Sequence, residues 1–415
     1  MKVKLNLPQS LSPLYEKEFR IFITTRFLFI MALRMVGTVV AYQLFQLTKS
    51  SFSIGLVGLS EFIPVFSLAL YAGHVIDKSD KRKILLRGMA CYCLCVAALI
   101  IITAPTIEKG FNKKLLEYSF YLVIFFTGII RAFVGPTTNA VLSQLVPRSI
   151  LPFAANISSS TWLTASILGH ASAGFFIAWF GVNTTFYIIF VYIILATLNL
   201  SAIKPKPSVA KTKDIGAWES VKEGLRFVKT NKILLGAISL DLFAVLFGGA
   251  VALIPEFANK ILQVGPIGFG WLNAAIDIGS VITIVTMTLS PMKKRQGKKL
   301  FIAVAGFGIC IIIFGLSQFY WISFAALLLA GMLDGISVIV RGTVLQLSTP
   351  EEMRGRVSSV NSMFINSSNE LGQFESGFMA RIMGTVPSVI FGGFMTLLVV
   401  IITWFKAPTL RKFEY

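Results

Sequence analysis

Arg34, Glu61, Arg131, His170, Asp241, Asp277, Asp334, Glu370 and Glu375 stand inside long apolar stretches of a 415-residue chain. A charge buried among apolar neighbours costs roughly 3 kcal/mol or more unless it is paired or hydrated, so each is a candidate for ion pairing, proton transfer or lining a polar path. Arg34 and Glu61 lie at similar depths along neighbouring stretches and could pair; a paired Glu61 stays ionised and carries protons poorly. No such partner is evident for Asp241, Asp277 or Asp334, and the stretch holding Asp334 also carries Arg341. His170 could titrate near neutral pH, although a hydrogen-bonded packing role is the plainer reading. The stretch 357–383 is unusually polar, with Asn361, Asn366, Asn369, Glu370, Gln373 and Glu375, so it must face a cavity or other helices rather than lipid.

Other chemistries lack their residues. With only His74 and His170 no His-rich metal site can form, although a carboxylate site could. The cysteines, Cys91, Cys93, Cys95 and Cys310, all lie in apolar runs and read as small buried residues rather than ligands or disulfides. There is no phosphate-binding Gly-rich loop, zinc-binding His pair or nucleophile elbow. The chain is therefore expected to be no enzyme, to hold no metal or cofactor, and to rely on an ion gradient if it does work.

Composition gives the elements that must hold these residues. Hydrophobic residues make up 55% of the chain and charged ones only 14%, about half the share in a soluble protein. Mean hydropathy is +0.77. Twelve runs approach the ~20 residues needed to span a bilayer: 21–46, 52–76, 84–104, 118–143, 153–178, 183–203, 233–254, 267–290, 300–317, 321–346, 357–383 and 386–405. The net charge of +19 falls in the short segments between them, which argues for membrane topology and against nucleic acid as a partner. With both termini placed inside, 28 Lys and Arg fall on the cytoplasmic side and 5 outside, which predicts a multi-pass plasma (inner) membrane protein with cytoplasmic termini. Polar residues before the first long run argue against a cleaved leader. The expected partners are the lipid bilayer and a small-molecule substrate, with the chain a monomer.

The segment 204–232 divides the runs six and six. Within it Trp218, Val221, Leu225 and Val228 recur at helical spacing, predicting a helix on the cytoplasmic interface. Residues 128–181 also align without a gap on 331–384, an offset of 203 that matches Gly128 to Gly331, Pro147 to Pro350 and Gly181 to Gly384. The clearest piece is LGHASAGF (168–175) against LGQFESGF (371–378). The repeat predicts two related halves, 1–203 and 233–415, joined by 204–232, with a substrate path near the midplane between them.

The segment 73–83 reads GHVIDKSDKRK, in which Gly73, Asp77, Lys78, Lys81 and Arg82 match the signature between the second and third helices of the major facilitator superfamily. Asp80 stands where that signature usually has Gly. Arg131 followed by Gly135 resembles the family's second motif, and His170 replaces a usual Pro in a third, Gly-rich one. Segments 252–260 (ALIPEFANK), 268–280 (GFGWLNAAIDIGS) and 354–362 (RGRVSSVNS) are similar to the enterobactin-exporter and macrolide-efflux branch. The resemblance implies an all-α fold of twelve transmembrane helices in two pseudo-symmetric six-helix bundles. It implies alternating access, a gating role for the 73–83 motif, and proton-coupled efflux (antiport) of a siderophore, drug or similar amphipathic molecule. Uptake, metal or lipid transport on the same fold, or a non-transporting membrane sensor, are the competing readings.

Overall fold

The computed structural model describes residues 9–205, 217–290, 292 and 294–414, and within helices it leaves the side chains of Gln9, Leu70, His74, Asp77, Lys78, Ala217 and Ser220 undescribed. All regular structure among the described residues is helical. The long helices are α1 (Lys17–Thr48), α2 (Ser51–Lys78), α3 (Lys81–Ile102), α4 (Lys113–Leu145), α5 (Leu151–Ser201), α6 (Ala217–Thr230), α7 (Lys232–Phe247), α8 (Pro266–Leu289), α9 (Gln296–Leu316), α10 (Tyr320–Ser348), α11 (Arg354–Met383) and α12 (Thr385–Lys406).

Ten helical stretches among the described residues are long and apolar enough to cross a membrane. Two departures from the predicted runs have local causes. The runs 153–178 and 183–203 form the single element α5, whose 51 residues would reach about 77 Å if straight, over twice a bilayer core. It folds back at Gly181, where φ is 79° and ψ 172°, a region open in practice to glycine alone. Gly384, its partner in the repeat, makes the same turn between α11 and α12 with φ 90° and ψ 163°. The run 357–383 forms the full-length helix α11, but its polar residues keep it outside the ten.

The predicted run 233–254 lies within a spanning stretch, Lys232–Ile261, but the regular α-helix there stops at Phe247. Gly248 and Gly249 close α7, and the chain continues through 3-10 (Ala250–Leu253), α (Ile254–Glu256) and π (Phe257–Ile261) turns. The predicted helix at 217–228 is α6. It turns Val221 and Val228 inward and leaves Trp218 71% exposed. Glu223 of α6 pairs with Arg356 of α11, and Gly224 lies against the Arg356 backbone, so this helix is docked on protein as well as amphipathic.

One large apolar cluster draws its buried residues from 19 to 203, including Phe19, Met35, Leu99, Phe120 and Phe186. Two others draw theirs from 221–410 and 250–389. The two groups of helices meet along α2 with α11 and α5 with α8. Both contacts lie toward the end of the bundle remote from the N-terminus, and glycines set their closeness. A Cβ on Gly55 would lie 3.1 Å from the Gly377 Cα, and one on Gly174 would lie 3.0 Å from the Gly270 Cα. Small residues let backbones touch where lipid supplies no hydrophobic drive.

Candidate functional site

Arg131 projects from α4 between two carboxylates. Its Nη1 donates to Glu61 Oε1 of α2 in a short ion pair, and to Glu370 Oε1 of α11 at 3.2 Å. Gln373, one turn along α11, donates to the other Glu370 oxygen at 3.4 Å. Gly128, on the same face of α4 as Arg131, sits against Pro64 and the Glu61 backbone and lets α4 approach α2. Glu370 is buried, while Glu61 and Arg131 are partly exposed. One guanidinium thus serves two carboxylates from different helix groups. In a weakly polar interior the cluster is balanced with one proton and carries an excess negative charge without it.

The pairing of Arg34 with Glu61 suggested by depth does not occur. Arg34 turns to α5, with its guanidinium 4.8 Å from the centre of the Trp162 ring and its Cβ against Gly169. Depth along an axis is legible from sequence, whereas the face a residue takes depends on which helix lies beside it. The aspartates that lacked an evident partner all have one. Arg341 pairs with Asp241 through Nη1, lies 4.0 Å from Asp334 through Nη2, and donates from Nε to Ser337 Oγ at 3.1 Å. This cluster of α7 and α10 again sets one guanidinium between two carboxylates. Asp277 of α8 accepts from Ser166 of α5 at 2.5 Å and lies 3.8 Å from His170 Nε2. His170 Nδ1 in turn meets Thr38 Oγ1 of α1 at 2.7 Å, so the ring is held on both sides and bridges toward the second helix group.

Glu375 is separate from these clusters, and its Oε1 is buried without a hydrogen-bond partner among the described residues. In the 73–83 motif, Gly73 lies near the end of α2 with open space beside it, and Lys81 begins α3. Arg82 donates to the Ser201 carbonyl at the end of α5 at 2.6 Å, where the exposed carbonyls of a helix C-terminus favour a cation. The Asp77 and Lys78 side chains lie outside the described residues. Asp80 caps α3 by accepting from the Lys83 N–H at 3.2 Å with φ −65°, so this turn needs no glycine. All four cysteines are free. No cluster of metal-ligating side chains occurs among the described residues.

Sequence reading passed over one buried acid. Glu256 lies 8% exposed in the broken segment after α7, accepts a short hydrogen bond from Ser51 at the start of α2, and pairs with Lys260 at 2.8 Å. Lys260 also stands 5.6 Å from the Phe45 ring centre, and Arg381 of α11 stands 4.8 Å from that of Phe52 on α2. The available signal was the i, i+4 spacing of Glu256 and Lys260 on a side where basic residues are scarce.

A polar interior of this kind, within helices long and apolar enough to cross a membrane, fits a membrane transporter, and the family match gives that class. The chain belongs to the Major Facilitator Superfamily, whose family model matches residues 22–373. It is 24% identical over 404 residues to the enterobactin exporter EntS of Shigella flexneri, covering 95% of this chain and 93% of that one. The enterobactin exporter EntS of Escherichia coli O1:K1 / APEC matches with the same identity and coverage. Among solved structures, a variant of the nucleoside transporter NupG superposes with a TM-score of 0.74 at 11% identity, over 94% of this chain and 99% of that one. A D-xylose-proton symporter superposes with a TM-score of 0.72 at 13% identity, over 96% and 99%. The fold is all-α, and the protein is a multi-pass membrane transporter rather than an enzyme.

Proposed function

We propose that this transporter exports a siderophore, drug or similar amphipathic molecule from the cytoplasm, driven by inward proton flow and with no bound cofactor. It crosses the inner membrane twelve times, the arms of α5 counting as two crossings and α11 as one, with both termini cytoplasmic. Residues 1–203 and 233–415 act as two halves that rock about the central clusters, 204–232 links them, and the working unit is a monomer. The similarity to the EntS exporters supports the substrate class and direction.

The observation that carries proton coupling is the Arg131 bridge from Glu61 to Glu370. Separating α11 from α4 breaks the Glu370 contact, and a proton on Glu370 removes the charge that would otherwise be stranded. The test is flux of enterobactin, and separately of a macrolide, in proteoliposomes with and without an imposed pH gradient. Gradient-driven accumulation that collapses with a protonophore is expected. Glu370→Gln should retain counterflow exchange while losing the response to the gradient. Flux indifferent to the gradient overturns the coupling, and movement of neither compound overturns the substrate class.

A further inference from the structure

The helix α6 docks on α7 and α11 through Val221, Gly224 and Val228, which recur at three and four residues and are buried. Round the helix from that face stand Trp218, Lys222, Leu225 and Lys229, at intervals of four, three and four residues, so they form one stripe. All four are exposed, Trp218 by 71% and Leu225 by 38%. Arg226 is exposed beside them. Of the two acids on α6, Glu223 is engaged by Arg356, and Glu219 lies about 100° round the axis from Trp218.

The chain itself fixes the height of this stripe. A single residue, Asn231, separates α6 from α7, which opens the spanning stretch Lys232–Ile261. Asn231 accepts from the Ile233 and Leu234 N–H groups at 3.2 and 3.1 Å, and its side-chain amide donates to the Ser348 carbonyl at the end of α10 at 3.2 Å. With both its end and its face held, α6 lies at the level where the bundle enters the membrane. A face turned wholly to water carries polar residues, whereas Trp and Leu alternating with Lys suit the boundary between headgroups and acyl chains. The charge fits as well: residues 204–232 hold eight Lys and Arg against three acids. Basic clusters of that size next to a membrane span attract anionic lipid.

We propose that this stripe of α6 is a dock for anionic phospholipid headgroups. Lys222 and Lys229, about 10 Å apart along the axis, each meet a headgroup phosphate, with their stems lying along the helix. Trp218 and Leu225 enter the apolar layer between them. Lipid held there fixes α6, and through Glu223 and Arg356 it steadies the first turn of α11, the helix that carries Glu370. The placement on the cytoplasmic leaflet rests on the topology proposed above, but the lipid chemistry is separable from transport and from its direction.

The test follows the fluorescence of Trp218 in full-length protein whose five other tryptophans are phenylalanine. The protein is placed in phosphatidylcholine vesicles that contain acyl-brominated phosphatidylglycerol or, at the same mole fraction, acyl-brominated phosphatidylcholine. The anionic quencher should be favoured by about tenfold or more in relative association, since each lysine at an anionic surface contributes roughly fivefold. Lys222→Gln with Lys229→Gln should remove most of that preference, whereas Lys109→Gln with Lys113→Gln, at the other end of the bundle, should leave it intact. A second measurement avoids the tryptophan changes: short-chain phosphatidylglycerol, compared with short-chain phosphatidylcholine, should raise the thermal midpoint of the wild-type protein in detergent but not that of the Lys222→Gln, Lys229→Gln variant. Equal quenching by the two lipids, or a preference unchanged in that variant, overturns the dock. Quenching by neither lipid places the stripe in water, open to a soluble partner, and overturns it too. Loss of the preference in inorganic phosphate but not in chloride of matched ionic strength would assign the lysines to free phosphate and not to lipid. If export occurs without lipid preference, the dock falls and the exporter stands; if lipid preference occurs without export, the dock stands alone.

Discussion

Replacing Gly174 by leucine should shift the protein away from the arrangement described here. A Cβ at Gly174 would lie 2.5 Å from the Pro266 carbonyl oxygen and 3.0 Å from the Gly270 Cα, and both obstacles are backbone on α8. Restoring ordinary contact near 3.5 Å needs roughly 1 Å of separation between α5 and α8, since neither obstacle can rotate aside. Overpacking of this kind costs about 1–3 kcal/mol. Because Gly174 touches the other helix group, the cost falls on the state in which α5 and α8 are in contact at this end, and a state with that end parted escapes it. The ratio of the two states should change by about 5- to 150-fold toward the parted one. Spin labels at Lys109→Cys and Trp321→Cys, both at this end, report the change as a longer distance by electron-electron resonance in a background lacking the four native cysteines. Gly377→Leu, with its Cβ 2.9 Å from the Gly55 Cα on the opposite flank, should act in the same direction. Gly342→Ala, with nothing within 4 Å, should not. An unchanged distance distribution in folded Gly174→Leu protein would refute the reasoning.

Other perturbations probe separate parts of the structure. Gly181→Ala and Gly384→Ala force a side chain into a positive-φ, extended-ψ turn and should each destabilise the protein by about 1–3 kcal/mol, read as a lower thermal midpoint in detergent; an unaltered midpoint in both would show that the turns relax freely. Arg131→Met strands Glu61 and Glu370 and should cost about 3–5 kcal/mol in denaturant unfolding, with Glu61→Gln and Glu370→Gln together restoring much of it. Additive losses in the triple variant would mean the three side chains are not one cluster. Asp80→Ala should cost about 1 kcal/mol through the lost α3 cap, whereas Asp80→Gly, the residue usual in the family signature, should cost only a few tenths. Equal losses for the two would place the role of Asp80 elsewhere.

The helices were legible because hydropathy over some twenty residues is a strong, local signal, and the repeat was legible because an offset of 203 survives in turn glycines such as Gly181 and Gly384. The candidate acids and bases were legible as residue types, since each stands out in an apolar run. Their partners were not. Arg34 and Glu61 share a depth yet face different neighbours, and Asp241 and Asp277 meet their partners only once α7–α10 and α5–α8 are packed, whereas Asp334 and Arg341 share α10 and their nearness was open to a reading of the sequence. Glu256 was hidden because its place depends on the helix breaking at Gly248 and Gly249, which periodicity does not mark. Asp80 shows the reverse case, in which a departure from a family pattern has a local explanation as a cap.

The sharing of Arg131 by two carboxylates bears on the order in which the chain can enter its membrane. Glu61 and Arg131 are synthesised within 70 residues of each other and form a neutral pair, so α2 and α4 can partition into lipid together with little net charge. Glu370 emerges 239 residues after Arg131, on a helix too polar to qualify as a span by composition. Lipid alone gives α11 little reason to stay. Its insertion is then templated, since the first five helices must already present Arg131 and the α2 glycines as a docking face, and a truncated or slowed N-terminal half should leave α11 exposed to proteolytic quality control.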